Sequence, residues 1–201
     1  CIADKLKRRF LVSTVRLPVL GAVLRRGVSH GYAVYGDITS WYAETWTNVK
    51  PGSIYHAMSK LETQGMLRVA DSASVEKLGP SRTEYAVTSE GEAEFTRLLE
   101  AALVSSDIQP FSAGIAFMDR LTREQVLALL QQRLTALKQS AGFLGGLPTD
   151  ESAADPSKHP ELVGVWVNYV ENEAKTTERI IDHIQAGKYA FRSDRAEEEN
   201  R

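Results

Sequence analysis

Apolar residues follow two different periods in the first hundred residues of the chain. Spacings of three and four indicate amphipathic helices, and strict alternation indicates strands. The predicted elements are helices over 15–26, 30–43 and 51–64, strands over 66–69 and 83–87 with a polar loop 71–82 between them, and a helix over 89–104. The pattern therefore predicts three helices, a two-stranded hairpin and a fourth helix.

Single residues at the ends of these segments support the predicted boundaries. Gly27 and Gly65 follow the first and third helices, where a residue in the left-handed conformation commonly ends a helix. Ser29 and Thr88 precede the second and fourth helices, where a side-chain oxygen accepts a hydrogen bond from the first turn. We therefore expect these serine and threonine residues to cap the helices that follow them.

The second half of the chain is predicted to be helical, with a loop over 145–160 before its last helix. Helices are expected over 107–119, 122–144 and 161–187, and Thr122 with Gln125 forms a capping-box pattern at the start of the second one. The carboxylates of Glu171 and Glu173 are expected on a solvated helix face. The long helix carries one continuous apolar stripe, made of Val126, Leu130, Leu134, Leu137, Ala141 and Leu144.

The composition is that of an ordinary folded protein. Of 201 residues, 43% are hydrophobic and 25% are charged, and the formal net charge is -2. Cys1 is the single cysteine, which excludes an internal disulfide framework. A membrane span needs about 20 apolar residues in a row, and the basic first ten residues lack the apolar core of a signal peptide. No membrane partner is expected, and the predicted location is the cytoplasm.

The chain lacks the common motifs of enzymes. No phosphate-binding glycine loop, HExxH or GxSxG pattern is present. The four histidines, His30, His56, His159 and His183, are scattered over separate segments. We therefore predict no catalytic residue, no metal site, no cofactor and no enzymatic activity.

The predicted third helix has the two faces that a DNA-recognition helix requires. Its apolar residues Ile54, Ala57, Met58 and Leu61 share one side, which leaves polar residues on the other. Three helices followed by a hairpin describe a winged helix-turn-helix, in which the third helix enters the major groove and the hairpin loop reaches the backbone. Several side chains on or near this helix and on the wing 71–82 carry the hydrogen-bond donors, rings or positive charge that suit DNA. They are Lys50, Ser53, Tyr55, His56 and Lys60 at the helix, and Lys77 and Arg82 on the wing.

Three runs of sequence resemble one known family. HGYAVYGDI, KPGSIYHAMSKLETQGML and RTEYAVTSEGEAEF occur in this order and resemble the PadR family of bacterial transcriptional regulators over about residues 15–104. The second half is similar, by length and helical pattern, to the longer C-terminal domain of one PadR branch. The resemblance implies a homodimer that represses transcription by binding a palindromic double-stranded DNA operator. It also implies release of DNA by a phenolic acid or a flat aromatic drug in some members.

Carried over by position, the resemblance identifies the expected DNA contacts. These are Tyr32, Ser53, Tyr55 and Lys60, with Arg82 from the wing. His56 stands where the family commonly has proline, and it is either an added DNA contact or a tolerated surface residue. Packing between the second and third helices is an alternative role for Tyr32.

The expected fold class is mainly α with a small β-hairpin, in two domains. An N-terminal winged helix-turn-helix over 15–104 is followed by an α-helical dimerisation domain over 105–190, with flexible ends at 1–14 and 191–201. Phe117 and Trp166 could line an effector pocket for a small aromatic molecule. The residues expected at the dimer interface are Leu162, Trp166, Tyr169, Ile180 and Ile184.

An alternative hypothesis gives the same fold a function other than DNA binding. The winged helix could be a protein-interaction module that has no sequence-specific DNA binding, and the weak charge balance permits this reading. A mobility-shift assay distinguishes the two hypotheses.

Overall fold

The computed structural model describes residues 15–40, 51–70, 83–147 and 160–191. Within them the fold is mainly α-helical with one small antiparallel sheet, which confirms the predicted fold class. The elements are α1 (Arg16–Arg26), β1 (Val28–Ser29), α2 (Gly31–Ser40), α3 (Pro51–Thr63), β2 (Leu67–Val69), β3 (Tyr85–Val87), α4 (Ser89–Leu103), α5 (Ile108–Phe117), a 3-10 turn (Met118–Arg120), α6 (Arg123–Gly145) and α7 (Pro160–Gln185).

Several predicted segments lie outside the described residues. They are residues 41–50, which include the end of the predicted second helix, the predicted polar loop 71–82, residues 148–159 of the predicted loop 145–160, and residues 1–14 and 192–201 at the chain ends.

The sheet has one strand more than the predicted hairpin. The strand order is β1-β3-β2, so β3 lies in the centre and pairs antiparallel with both neighbours. Val28 is opposite Ala86, and Val69 is opposite Tyr85. The two-residue strand β1 is too short to produce a recognisable alternation in the sequence.

The presence of β1 also changes the cap of α2. Ser29 is buried in that strand, and the prediction that it caps the helix is wrong. His30 performs this role instead, because its Nδ1 accepts a hydrogen bond from the amide of Ala33 at 3.1 Å. Thr88 does cap α4, since its Oγ1 accepts a hydrogen bond from the Gly91 amide at 3.1 Å.

The chain divides into two compact units. The first contains the described residues up to Ala102 together with Ile108–Phe117, and the second contains Leu103–Asp107 and the described residues from Met118 onward. In the first unit, Gly27 and Gly65 adopt φ angles of 75° and 73°, which confirms them as the ends of α1 and α3. The core of this unit includes Phe117, whose ring lies so close to Gly21 of α1 that no side chain would fit there.

The second unit is built on the antiparallel pair α6 and α7 with the segment before α5. Thr122 and Gln125 form the predicted capping box at the start of α6. Val126, Leu130, Leu134 and Leu137 of the predicted stripe are buried. The prediction of a solvated Glu173 is wrong, because its carboxylate is buried and binds the guanidinium of Arg133 on α6.

Candidate nucleic-acid interface

The two faces of α3 are separated as the sequence pattern predicts. Ile54, Ala57, Met58 and Leu61 are buried and hold the helix against its unit. The opposite side presents the side chains of Tyr55, His56, Ser59 and Lys60 to solvent, with Ser53 half-buried near the start of the helix. An exposed surface with hydroxyl donors, an imidazole and an ammonium group can contact phosphates and the edges of bases.

The N-terminus of α2 adjoins this surface through a close contact. The Tyr55 ring lies directly over Gly31, and a Cβ at position 31 would be 2.7 Å from Cδ1 of that ring. Tyr55 nevertheless remains 51% exposed, and Tyr32 on α2 is 66% exposed. Glycine at position 31 therefore allows two exposed tyrosine rings to lie on one surface.

These residues border an open cleft of about 370 Å³. Tyr85 of β3 contributes to its wall and anchors the sheet to α3. Burial raises the pKa of the Tyr85 phenol, and the nearby Glu62 carboxylate, which accepts a hydrogen bond from it, raises this pKa further. The residues that line the cleft are His30, Gly31, Tyr32, Tyr55, Met58, Thr83 and Tyr85.

A bidentate ion pair fixes α2 relative to α1. The Arg26 guanidinium donates from Nε to Asp37 Oδ2 at 2.6 Å and from Nη2 to Oδ1 at 2.5 Å. The hydrogen bonds and the charge of Asp37 raise the pKa of Arg26. Such forked geometry holds two planar groups in one orientation, so the pair joins the end of α1 to the second half of α2.

Not every predicted DNA contact can be placed. Lys50, Lys77 and Arg82 lie outside the described residues. Arg68, which the sequence pattern did not single out, is exposed on β2 just before the wing loop. The exposure of Arg68 could have been predicted from the sequence, because alternate residues of a short strand with one buried side face solvent.

The second unit contains a larger open cleft of about 690 Å³. Trp166 and Tyr169 of α7 form part of its wall, and their rings meet edge to face with centroids 5.8 Å apart. Phe117 does not line this cleft, because it is buried in the first unit, where its ring is 5.7 Å from that of Phe95. The described residues that line the cleft are Ser106, Asp107, Ala136, Leu137, Gln139, Ser140, Phe143, Leu144, Trp166, Tyr169 and Val170.

The residues predicted for a dimer interface differ in their exposure. Leu162 and Trp166 are 55% and 51% exposed, and Val165 between them is exposed as well. Tyr169 and Ile180 are half-buried. Ile184 is completely buried within the second unit.

No group of three or more potential metal ligands occurs among the residues that the structure describes. None of the described helices is both long enough and apolar enough to span a membrane.

Part of the first unit is similar to a known family. Residues 19–97 match the model of the transcriptional regulator PadR-like family. No curated protein matches the chain.

Solved structures of similar proteins include Bacillus subtilis PadR in complex with operator DNA, at 20% identity over 84% of this chain and 98% of that chain, with a TM-score of 0.35. The same protein in complex with p-coumaric acid matches at 19% identity over 87% and 97%, also with a TM-score of 0.35. A PadR-like transcriptional regulator from Bacillus cereus matches at 14% identity over 86% and 99%, with a TM-score of 0.33. Similarities this weak do not bear on the function of the present chain.

Proposed function

We propose that this chain, whose residues 19–97 match the model of the transcriptional regulator PadR-like family, is a repressor that binds a palindromic operator as a homodimer. The observation that supports this proposal most directly is the exposed side of α3. Its polar and aromatic side chains, Tyr55, His56, Ser59 and Lys60, are all exposed while the apolar side of the same helix is buried.

In the proposed complex each α3 lies in a major groove. Ser53, Tyr55 and His56 face the bases, while Lys60, and Lys50 just before the helix, neutralise phosphates. Tyr32 contacts the backbone from α2, and Arg82 contacts it from the wing. A two-fold dimer would place its two α3 helices about 34 Å apart, which corresponds to one turn of DNA.

Lys60→Ala tests the DNA-binding surface. The variant should lose affinity equally for the operator and for unrelated DNA, because an ammonium group on a phosphate carries no sequence information. The slope of log affinity against log salt should become shallower by about 0.9, because the variant neutralises one phosphate fewer. Mobility-shift titrations over a salt series measure both quantities.

Lys175→Ala is the matched control, because it removes the same exposed charge from α7 in the second unit. If both variants have the same slope as the original protein, the proposed role of α3 is wrong. A protein that shows no sequence-dependent shift with its own upstream DNA would instead support the interaction-module hypothesis.

The exposed apolar residues of α7 support the homodimer. Leu162, Val165 and Trp166 lie within one and a half helical turns and expose large side chains, and such patches on soluble proteins commonly mark interaction sites. Leu162→Glu should shift the protein from dimer to monomer in light scattering, because a carboxylate would be buried without a partner.

Glu171→Lys is the control for this variant. Position 171 follows position 162 by nine residues, so it lies on the opposite side of α7. A Leu162→Glu protein that stays dimeric, or an equal loss of dimer in both variants, would contradict an interface at this side of the helix.

We also propose that a small aromatic effector regulates DNA binding. Trp166 supports this part of the proposal, because it is half exposed at the wall of the larger cleft and beside the Tyr169 ring. The experiments described below test the first requirement of this proposal, which is that the cleft binds an aromatic molecule.

A further inference from the structure

We propose that the larger cleft selects an aromatic ligand that carries a hydrogen-bond-donating amine rather than a carboxylate, and that the backbone at Ser106 senses this ligand. The inference rests on the proposed regulatory function, because it specifies the effector class and the way in which the cleft responds. It depends on three observations within the second unit: the charge of the cleft wall, its aromatic rings, and two hydrogen bonds that hold one segment of backbone.

The charge of the cleft wall favours a donor. Among the described lining residues, Asp107 supplies the single carboxylate, and lysine, arginine and histidine are absent. The nearest buried cation, Arg133, already donates to the Glu173 carboxylate, to Thr177 and to the Ser105 carbonyl. Among the described lining residues, a ligand carboxylate would therefore meet Asp107 and no cation, whereas an ammonium group would be attracted to Asp107.

The rings of the wall suit the aromatic part of the same ligand. Trp166, Tyr169 and Phe143 line the cleft, and the side chains of Phe143 and Trp166 are largely exposed. Aromatic faces attract cations as well as other rings. A cleft of about 690 Å³ has ample room for a molecule with two fused rings.

One wall of the cleft is the short segment 104–107, which joins α4 to α5. Two side chains hold its backbone: Arg133 donates to the Ser105 carbonyl, and the Tyr169 hydroxyl donates to the Ser106 carbonyl at 3.1 Å. Arg133 is completely buried, but Tyr169 lines the cleft. A ligand amine can therefore replace the Tyr169 hydroxyl as the donor to the Ser106 carbonyl while the attachment at Ser105 remains, so binding detaches the segment from α7 at one point only.

Three naphthalene probes test the selectivity in the full chain without DNA. We expect 2-naphthylmethylamine to bind about tenfold more tightly than 2-naphthoate by isothermal titration calorimetry, with 2-naphthylmethanol between them. Asp107→Asn should reduce the preference for the amine about threefold, whereas Glu171→Gln, which removes an exposed carboxylate outside the cleft lining, should leave it unchanged. Trp166→Ala should weaken all three probes.

Three results would overturn this selectivity. They are tighter binding of 2-naphthoate than of the amine, equal effects of the two carboxylate substitutions, and no binding of any probe.

Amide hydrogen exchange tests the sensing step. Bound 2-naphthylmethylamine should accelerate exchange at the amides of residues 105–107. In Tyr169→Phe, exchange there should already be faster without the probe, and the probe should add little. An unchanged exchange rate in the original protein with the probe bound would refute the role of Ser106, and so would an undiminished response in Tyr169→Phe.

Failure of this inference can be distinguished from failure of the proposed function. Both measurements are made without operator DNA, so a chain that binds the amine but shows no operator binding would contradict only the repressor proposal. A chain that binds its operator and none of the probes would contradict the inference about the cleft and the effector part of the proposed function, but not the repressor proposal.

Discussion

The buried ion pair between α6 and α7 allows a quantitative test of the structure. Arg133 is completely buried, and its guanidinium donates to Thr177 Oγ1 at 3.1 Å, to the Ser105 carbonyl and to the Glu173 carboxylate. Burial lowers the pKa of Arg133, while the charge and the hydrogen bond of Glu173 act in the opposite direction. Glu173→Ala would leave this cation in the interior without its counter-charge.

The magnitude follows from burial. Removing one partner of a buried pair costs about 3–5 kcal/mol, because the remaining charge keeps its desolvation penalty. For a chain of this size, each kcal/mol of lost unfolding free energy lowers Tm by about 2–4 °C, so we expect Tm to fall by about 6–20 °C. Replacing both partners by apolar residues, as in Arg133→Met with Glu173→Leu, should restore most of the loss, since no charge is then buried.

A second ion pair between the same helices provides the control. Lys138 Nζ lies 2.7 Å from Glu178 Oε1, but both side chains are largely exposed to water. Glu178→Ala should therefore cost only about 0.2–1 kcal/mol. Thermal and urea unfolding followed by circular dichroism measures both variants, and equal losses for Glu173→Ala and Glu178→Ala would refute the reasoning from burial.

Two further predictions concern the first unit. Gly91→Ala should destabilise this unit by about 1–3 kcal/mol in urea unfolding, because the new Cβ would collide with the backbone carbonyl of Met66. Gly36→Ala is the control, since position 36 is helical and open, and it should stabilise the unit by about 0.5–1 kcal/mol. If Gly36→Ala were the more destabilising of the two variants, the packing described at Gly91 would be wrong. Tyr85 has a raised pKa in the folded state, so its contribution to stability is complete below the pKa of an unfolded tyrosine and is lost as the pH rises through the higher folded value. Alkaline unfolding of Tyr85→Phe should lack this component, and a pH profile identical to that of the original protein would contradict it.

The sequence predicts best those features that depend on local spacing. The buried side of α3 follows from apolar residues three and four apart, and Gly65 ends that helix because glycine adopts a positive φ without strain. Thr122 and Gln125 form their capping box because both hydrogen bonds join residues within one turn. Each of these features needs information from only a few neighbouring residues.

Features that depend on contacts between distant segments were predicted less well. Arg133 and Glu173 are 40 residues apart, and a carboxylate with charged neighbours on a helix is usually exposed, so the sequence favoured a solvated Glu173. The strand β1 exists because β3 offers it pairing partners 56 and 58 residues away, which no local pattern reveals. Its formation buries Ser29 and leaves the cap of α2 to His30.

The candidate DNA-binding surface shows the same division. The outward positions of Tyr55, His56 and Lys60 follow from the helical period alone. The packing of the Tyr55 ring over Gly31 required the relative placement of α2 and α3, which the sequence pattern does not contain.

The path of the chain through its two units limits how the protein can be divided. It leaves the first unit after Ala102, returns for Ile108–Phe117 and leaves again at Met118. A fragment that stops at the end of α4 would lack Phe117 and would leave an unfilled space above Gly21. Gene fusions that transplant the first unit onto another scaffold should therefore place their junction beyond residue 117.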